Sequence, residues 1–126
     1  MKKAIETTLA PAAIGPYSQA VLVGNLLFVS GQIPLDPKTG ELKNGIENQT
    51  LQVLENLKNI LFSADFDFSH VVKTSIFLTD LNDFQTVNEL YQKAFSDPFP
   101  ARETVQVSAL PKGASIEISL IAQKDN

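Results

Sequence analysis

The chain has 126 residues, of which 44% are hydrophobic and 19% charged, a composition typical of one ordinary globular domain. Its formal net charge of −4 disfavours nucleic acid as a partner, because such binding needs clustered lysine and arginine. The absence of cysteine excludes disulfides, thiolate nucleophiles and sulfur ligands for metals. No apolar run approaches the roughly 20 residues that cross a bilayer, and no export signal is recognisable. We therefore expect a single domain, residues 1–126, in the cytoplasm, without membrane association.

The first third of the chain predicts a β-hairpin followed by a surface loop. Residues from Gln19 to Val23 and from Leu26 to Val29 flank the tight-turn dipeptide Gly24-Asn25. The segment from Gln32 to Gly45 is rich in proline, glycine and short polar residues, which favours a loop. A short strand near Ala4 to Thr7 is also possible.

The middle of the chain predicts a helix, a strand and a second helix. Apolar residues recur with helical period from Ile46 onward, and Asn44 and Glu47 have the spacing of a capping box. The stretch from Val71 to Leu78 is rich in β-branched residues with apolar groups on both faces, which indicates a central strand. A second helix is predicted over residues 83–95.

Two strands complete the pattern, near Arg102 to Val107 and Ser115 to Ala122, on either side of the turn Leu110-Pro111-Lys112-Gly113. The element order predicts an α+β fold with a single mixed β-sheet and two helices packed on one face. Two helices can cover only one face of the sheet. The other face must then meet water or another subunit.

Alternation in the last two strands assigns polar residues to faces. Arg102 and Thr104 share one row, and Glu117 lies opposite the apolar row of the final strand. If both apolar rows face the helices, Arg102 and Glu117 lie together on the uncovered face. This arrangement is compatible with a structural ion pair, or with a site in which Arg102 binds a carboxylate and Glu117 handles water.

Asn88 is a polar residue on the apolar stripe of the second predicted helix. A buried amide without partners costs on the order of 1–3 kcal/mol, so Asn88 must form hydrogen bonds. It either bonds a neighbouring loop or organises a site.

Two loop segments contain glycine beside hydroxyl groups, namely Ile14-Gly15-Pro16-Tyr17-Ser18 and Ser30-Gly31-Gln32. Glycine permits close approach to a ligand, although the same residues suit plain turns, and neither segment has phosphate-loop spacing. The single histidine, His70, is predicted in a surface loop. We therefore expect no metal site and no cofactor.

Five blocks in this order resemble the reactive-intermediate deaminase (RidA) family along almost the whole chain: Ile14 to Ala20, Val29 to Leu35, Asp83-Phe84 with Val87-Asn88, Pro100-Ala101-Arg102, and Leu110 to Ile118. The resemblance implies a fold like Bacillus-type chorismate mutase. It also implies a homotrimeric barrel with sites between subunits.

The resemblance assigns roles to residues that match the family's motifs. It implies that Arg102 binds the substrate carboxylate and that Glu117 positions water. The remaining pocket residues would be Tyr17, Ser30, Gly31, Asn88 and Thr104, with Tyr17 helping to orient the water and the leaving nitrogen. Many relatives have cysteine where this chain has Thr104, a position expected to contribute backbone contacts, and an acidic residue where it has Ser119.

The implied activity is the hydrolysis of 2-imino acids, such as 2-iminobutanoate and 2-iminopropanoate, to 2-keto acids and ammonia, without a cofactor or metal. One alternative is a regulatory module that binds keto acids or a protein partner without turnover. Another is a ribonuclease or translation inhibitor, which the acidic charge and the single histidine disfavour.

Overall fold

The fold is a mixed sheet covered by two helices, seen in a computed structural model that describes residues 1–125. The strands and helices are β1 (Lys3–Ile5), β2 (Ala20–Val23), β3 (Leu26–Gln32), α1 (Ile46–Ser63), β4 (Val71–Leu78), α2 (Phe84–Ala94), β5 (Ala101–Gln106) and β6 (Ile116–Gln123). The strand order is β1-β2-β3-β6-β4-β5. Only the β4–β5 pair is parallel among the described strands. The predicted α+β fold is confirmed, and β4 is internal as expected.

The hydrophobic core lies between the sheet and the helices. Strand β6 alternates between buried and half-buried residues, and its buried row of Ile116, Ile118, Leu120 and Ala122 is at most 3% exposed. Side chains of α1 such as Val53, Leu57 and Ile60 are fully buried in the same cluster. Each such side chain contributes about 1.5–3 kcal/mol through removal from water.

The predicted capping box of α1 is wrong. The N-cap residue is Gly45, with a φ of 82°, and no side chain caps the helix. Glycine adopts this left-handed conformation without a Cβ clash, so the chain turns into α1 at Gly45. Asn44 instead accepts a hydrogen bond at its backbone oxygen from the Asn48 side chain.

The second helix begins after a short 3₁₀ turn. Residues Leu81–Asp83 form this turn, and the Asp80 side chain accepts the backbone N–H of Asn82 at 2.9 Å. The α-helix therefore begins at Phe84, one residue later than predicted. Its buried side carries Val87 and Tyr91 toward the sheet.

The sheet face opposite the helices, here called the open face, carries apolar side chains among polar ones such as Ser75, Glu103 and Glu117. It carries Val21, Phe28, Phe77, Val105 and Ile121, and the side chains of Phe28 and Val105 are 43% and 42% exposed. Exposed apolar side chains on a sheet face that no helix covers favour a contact with another molecule. Across residues 1–125, no helix is both long and apolar enough to span a membrane.

Candidate active site

Arg102 is the only arginine in the chain, and it lies on the helix-covered face of the sheet. Strand β5 pairs Arg102 with Thr74 of β4, a fully buried residue. The Arg102 side chain extends over α2, where its Nη1 donates to Asn88 Oδ1 at 2.8 Å. Its guanidinium carbon lies 4.9 Å from the ring centre of Tyr91 and 5.5 Å from that of Phe84. One hydrogen bond and two cation–π contacts therefore hold the group.

A cavity of about 420 Å³ lies beside this guanidinium, with walls formed by Asn88, Tyr91, Gln92, Phe99, Pro100 and Arg102. Arginine has five N–H donors, and Asn88 uses one of them. The remaining donors include a pair suited to a carboxylate. This side of the molecule can thus bind a small anion.

Glu117 lies on the open face of β6, between Phe77 of β4 and Gly31 of β3. Phe77 is its Cα partner in the sheet. Gly31 approaches so closely that a Cβ built there would lie 2.5 Å from Glu117 Oε2. Burial raises the pKa of the Glu117 carboxyl above its ordinary value of 4.5. A carboxyl group of this kind can exchange protons nearer neutral pH than an exposed one.

Tyr17 and Ser30 belong to two segments that are joined by hydrogen bonds. Ser30 Oγ donates to the backbone oxygen of Ser18 at 2.6 Å, and the Ser30 N–H donates to that of Gln19 at 3.0 Å. Tyr17 is 55% exposed in the loop that these bonds attach to β3. Ser30, next to Gly31, thereby links the Tyr17 loop to the strand that packs against Glu117.

The structure divides the predicted site residues into two groups. The Arg102 group contains Arg102 and Asn88, with Thr104 in the same row of β5; the Glu117 group contains Glu117 and Gly31, with Ser30 and Tyr17 attached through β3. Strand β4 separates the two groups, which lie on opposite faces of the sheet.

The prediction that Arg102 and Glu117 share the uncovered face is wrong for Arg102. Val105 does not face the helices, because it pairs with Phe77 on the open face. The rule that apolar rows face the helices fails in β5, since the open face also carries apolar side chains such as Phe77 and Val105. The Arg102 row is consequently placed under α2, and no Arg102–Glu117 ion pair forms within the chain.

Three contributors to the Arg102 group were not identified from the sequence: the rings of Phe84 and Tyr91, and Thr74, which fixes Tyr91 through a 2.8 Å hydrogen bond. Phe84, Asn88 and Tyr91 follow at helical spacing, so one side of α2 presents them together. The sequence does not indicate which strand of the sheet lies against that side of α2.

Thr104 and His70 have local environments that bear on their predicted roles. The Thr104 hydroxyl is buried and has no hydrogen-bond partner within residues 1–125. His70 Nδ1 accepts the backbone N–H of Asp67 at 3.0 Å and so closes a 3₁₀ turn at the surface. Between residues 1 and 125, no three His, Cys, Asp or Glu side chains are grouped so as to hold a metal ion.

Comparison with known proteins finds matches along almost the whole chain. A family model described as endoribonuclease L-PSP matches residues 7–124. Human 2-iminobutanoate/2-iminopropanoate deaminase is 50% identical over 123 residues, covering 97% of this chain and 90% of the human protein.

Solved structures resemble the fold closely. RidA from the Antarctic bacterium Psychrobacter sp. PAMC 21119 has a TM-score of 0.94 at 48% identity, covering 97% of this chain and 99% of that one. E. coli TdcF with bound serine has a TM-score of 0.93 at 43% identity, covering 98% and 99%.

Proposed function

Because the chain belongs to the RidA/YjgF/L-PSP family, we propose that it is a hydrolase that converts 2-imino acids to 2-keto acids and ammonia. The human relative is named for 2-iminobutanoate and 2-iminopropanoate, and the E. coli relative was solved with serine, a small molecule with a carboxylate. The observation that carries the proposal is the single arginine, held by Asn88 and two aromatic rings beside a small cavity.

Arg102 is the proposed carboxylate anchor. Its planar fork offers two parallel N–H groups, which match the two oxygens of a carboxylate, whereas a lysine offers only a point charge. The hydrogen bond from Nη1 to Asn88 fixes one edge of the fork. In a 2-imino acid bound in this way, the imine carbon is bonded directly to the carbon of the anchored carboxylate.

Glu117 is the proposed proton-transfer group. A water molecule held by its carboxylate adds to the imine carbon, and the proton it releases reaches the nitrogen, which gives a tetrahedral amino alcohol. The Glu117 carboxyl group then transfers the hydroxyl proton to the amino nitrogen, so that the carbon–nitrogen bond breaks, ammonia leaves and the keto group forms. The raised pKa of Glu117 suits both steps. Tyr17 and the backbone at Ser30, Gly31 and Thr104 are the proposed groups that orient the water and the leaving nitrogen.

We further propose that the site is completed between subunits of a homotrimer. The Arg102 group and the Glu117 group lie on opposite faces of one chain, so one substrate cannot contact both within that chain. A neighbouring copy that packs its open face near the Arg102 cavity brings the two groups together. The exposed apolar side chains of Phe28 and Val105 supply surface for this contact.

The test is the hydrolysis of freshly generated 2-iminobutanoate, measured as acceleration over the spontaneous reaction. We expect Arg102→Ala to lose at least about a hundredfold in kcat/KM, because an unanchored imine no longer meets the water. Arg102→Lys should be impaired as well, since the fork is lost.

Lys93→Ala is the matched control, because Lys93 is an exposed cation on the same helix that Arg102 contacts. Thermal melting and light scattering confirm that each variant keeps its fold and assembly. Wild-type activity in Arg102→Ala would remove Arg102 from the mechanism. Lost activity together with lost assembly would make its role structural.

The matching family model is described as an endoribonuclease, so RNA cleavage is tested alongside imine hydrolysis. The preparations are incubated with RNA after removal of trace nucleases. We expect that any residual RNA cleavage is the same in the wild-type protein, in Arg102→Ala and in Glu117→Gln. RNA cleavage that depends on these residues, without ammonia release from the imine, would replace the deaminase proposal.

A further inference from the structure

We infer that Tyr91 is a positioning residue, whose ring sets the orientation of the Arg102 guanidinium that receives the substrate carboxylate. This inference deepens the proposed function and rests on it. Tyr91 touches Arg102 from beneath, and its own contacts leave its ring no freedom.

The Tyr91 ring is fixed on two sides. Its hydroxyl and Thr74 Oγ lie 2.8 Å apart in a buried hydrogen bond. Its ring stacks on Phe95, with centres 4.4 Å apart and planes at 29°. Tyr91 is only 4% exposed, and its conformation is therefore determined by the core.

The same contacts connect Tyr91 to Arg102 through the sheet. Thr74, which holds the Tyr91 hydroxyl, is the Cα partner of Arg102 in the β4–β5 pair. The guanidinium carbon lies 4.9 Å from the Tyr91 ring centre. Thr74, Tyr91 and Arg102 are thus connected to one another by strand pairing, a hydrogen bond and a cation–π contact.

Asn88 and Tyr91 constrain the guanidinium in different ways. The Asn88 hydrogen bond fixes one donor of the fork. An aromatic ring attracts the cation toward its face, which restricts the remaining motion of the group. Arg102 is an exposed residue on an edge strand, so without the Tyr91 ring only the Asn88 hydrogen bond and the more distant Phe84 ring would restrict its long side chain.

The Tyr91 hydroxyl also stays neutral. Burial raises the pKa of the phenol, so no phenolate forms that would compete with the substrate carboxylate for Arg102. The Tyr91 ring can therefore orient the Arg102 guanidinium without cancelling its positive charge.

The experiment measures binding of 2-ketobutanoate and of its uncharged amide to the full-length protein by calorimetry. We expect Tyr91→Leu to weaken keto-acid binding about tenfold, with KM raised to match, while Tyr91→Phe stays within about threefold. Binding of the amide should weaken clearly less than that of the keto acid in Tyr91→Leu, because the amide loses only the cavity wall and does not need an oriented fork.

A second pair of variants preserves folding by keeping the shape of the ring. Tyr91 is replaced by phenylalanine and by pentafluorophenylalanine, which differ in the charge distribution of the ring face. We expect the fluorinated protein to bind the keto acid about tenfold less tightly than the phenylalanine variant, with amide binding alike in the two.

Phe66→Leu is the matched control for the loss of a buried ring. Phe66 is 5% exposed, packs its ring against His70 and lies under the Lys124 ammonium at 5.3 Å. Equal weakening in Phe66→Leu and Tyr91→Leu, equal loss of keto-acid and amide binding, or equal affinities in the fluorinated pair would overturn the inference. A wild-type protein that neither binds the keto acid nor hydrolyses the imine would instead overturn the proposed function, and this inference with it.

Discussion

At the scale of single residues, the carboxyl group of Glu117 couples protonation to stability. Burial raises its pKa in the folded protein above the ordinary 4.5, so its ionised form is disfavoured by folding. The resulting penalty is absent below the unfolded pKa and fully present above the folded pKa. We expect Glu117→Gln to raise the melting temperature at pH 7 but not at pH 4, while it abolishes imine hydrolysis.

Melting curves at fixed protein concentration measure this effect. Glu55→Gln, an exposed substitution on α1, controls for the loss of one negative charge. A lower melting temperature for Glu117→Gln at pH 7 would show that its carboxylate is stabilised by the fold.

The buried hydroxyls of Thr104 and Thr74 make a matched pair on neighbouring strands. Thr104 Oγ has no partner within residues 1–125, whereas Thr74 Oγ bonds Tyr91. We expect Thr104→Val to raise the free energy of unfolding by about 1 kcal/mol, and Thr74→Val to lower it by a similar amount, because only the second change breaks a hydrogen bond.

Urea denaturation measures both changes in the free energy of unfolding. Thr104→Val should keep kcat/KM within about twofold if position 104 contributes through its backbone. A large loss of activity without unfolding would show that the hydroxyl itself contacts substrate or a neighbouring subunit.

At the scale of elements, Gln19 fixes the N-terminal segment that carries Tyr17. Its Oε1 accepts the Thr7 N–H at 2.7 Å, and its Nε2 donates to the backbone oxygens of Thr7, Ala10 and Pro11. Gln19→Met removes all four bonds. Each group left buried and unpaired costs on the order of 1–3 kcal/mol. We expect faster amide exchange over residues 7–18 and a raised KM, with the exchange of β4 and β6 unchanged.

Gln123→Met controls for this change, because within residues 1–125 the side-chain nitrogen of Gln123 donates to Asp125 alone. Hydrogen exchange followed by mass spectrometry localises the effect. Uniformly faster exchange, including that of β6, would mean that Gln19 stabilises the whole domain rather than this segment.

The elements could be predicted from periodicity, whereas the faces of β5 could not. Strand β4 was predicted with its observed bounds because a dense run of β-branched residues forms an internal strand. Strand β5 lies at the edge, and five of its six residues are exposed, so polarity does not distinguish its two faces. Its orientation follows from the pairing of Val105 with Phe77 and Arg102 with Thr74, which is a long-range register.

At the scale of the whole molecule, the positions of the Arg102 group and the Glu117 group favour a ring of subunits. The Arg102 cavity and the Glu117 carboxyl lie on different surfaces of the chain. A two-fold dimer brings identical surfaces together, whereas a closed ring joins one surface of a subunit to a different surface of the next. A homotrimeric ring would form as many complete sites as it has subunits. It would also cover the apolar side chains of the open face.

Mixing two inactive variants tests this arrangement directly. Arg102→Ala retains Glu117, and Glu117→Gln retains Arg102, so a site between two different subunits can contain both native groups. In an equal mixture that assembles at random, half of the subunits carry the native Arg102 and the other half the native Glu117. A quarter of the interfaces then contain both native groups. We therefore expect co-refolded trimers to regain about a quarter of wild-type activity, whereas each variant alone stays inactive. That quarter applies to the unfractionated mixture, which still contains trimers of a single variant. Trimers purified through two different tags contain both variants, and because each such ring has one intact site of three, we expect them to regain about a third of wild-type activity. Mixed trimers without any activity would place both groups of each site in one chain, and a monomeric mass for the wild-type protein would exclude the ring.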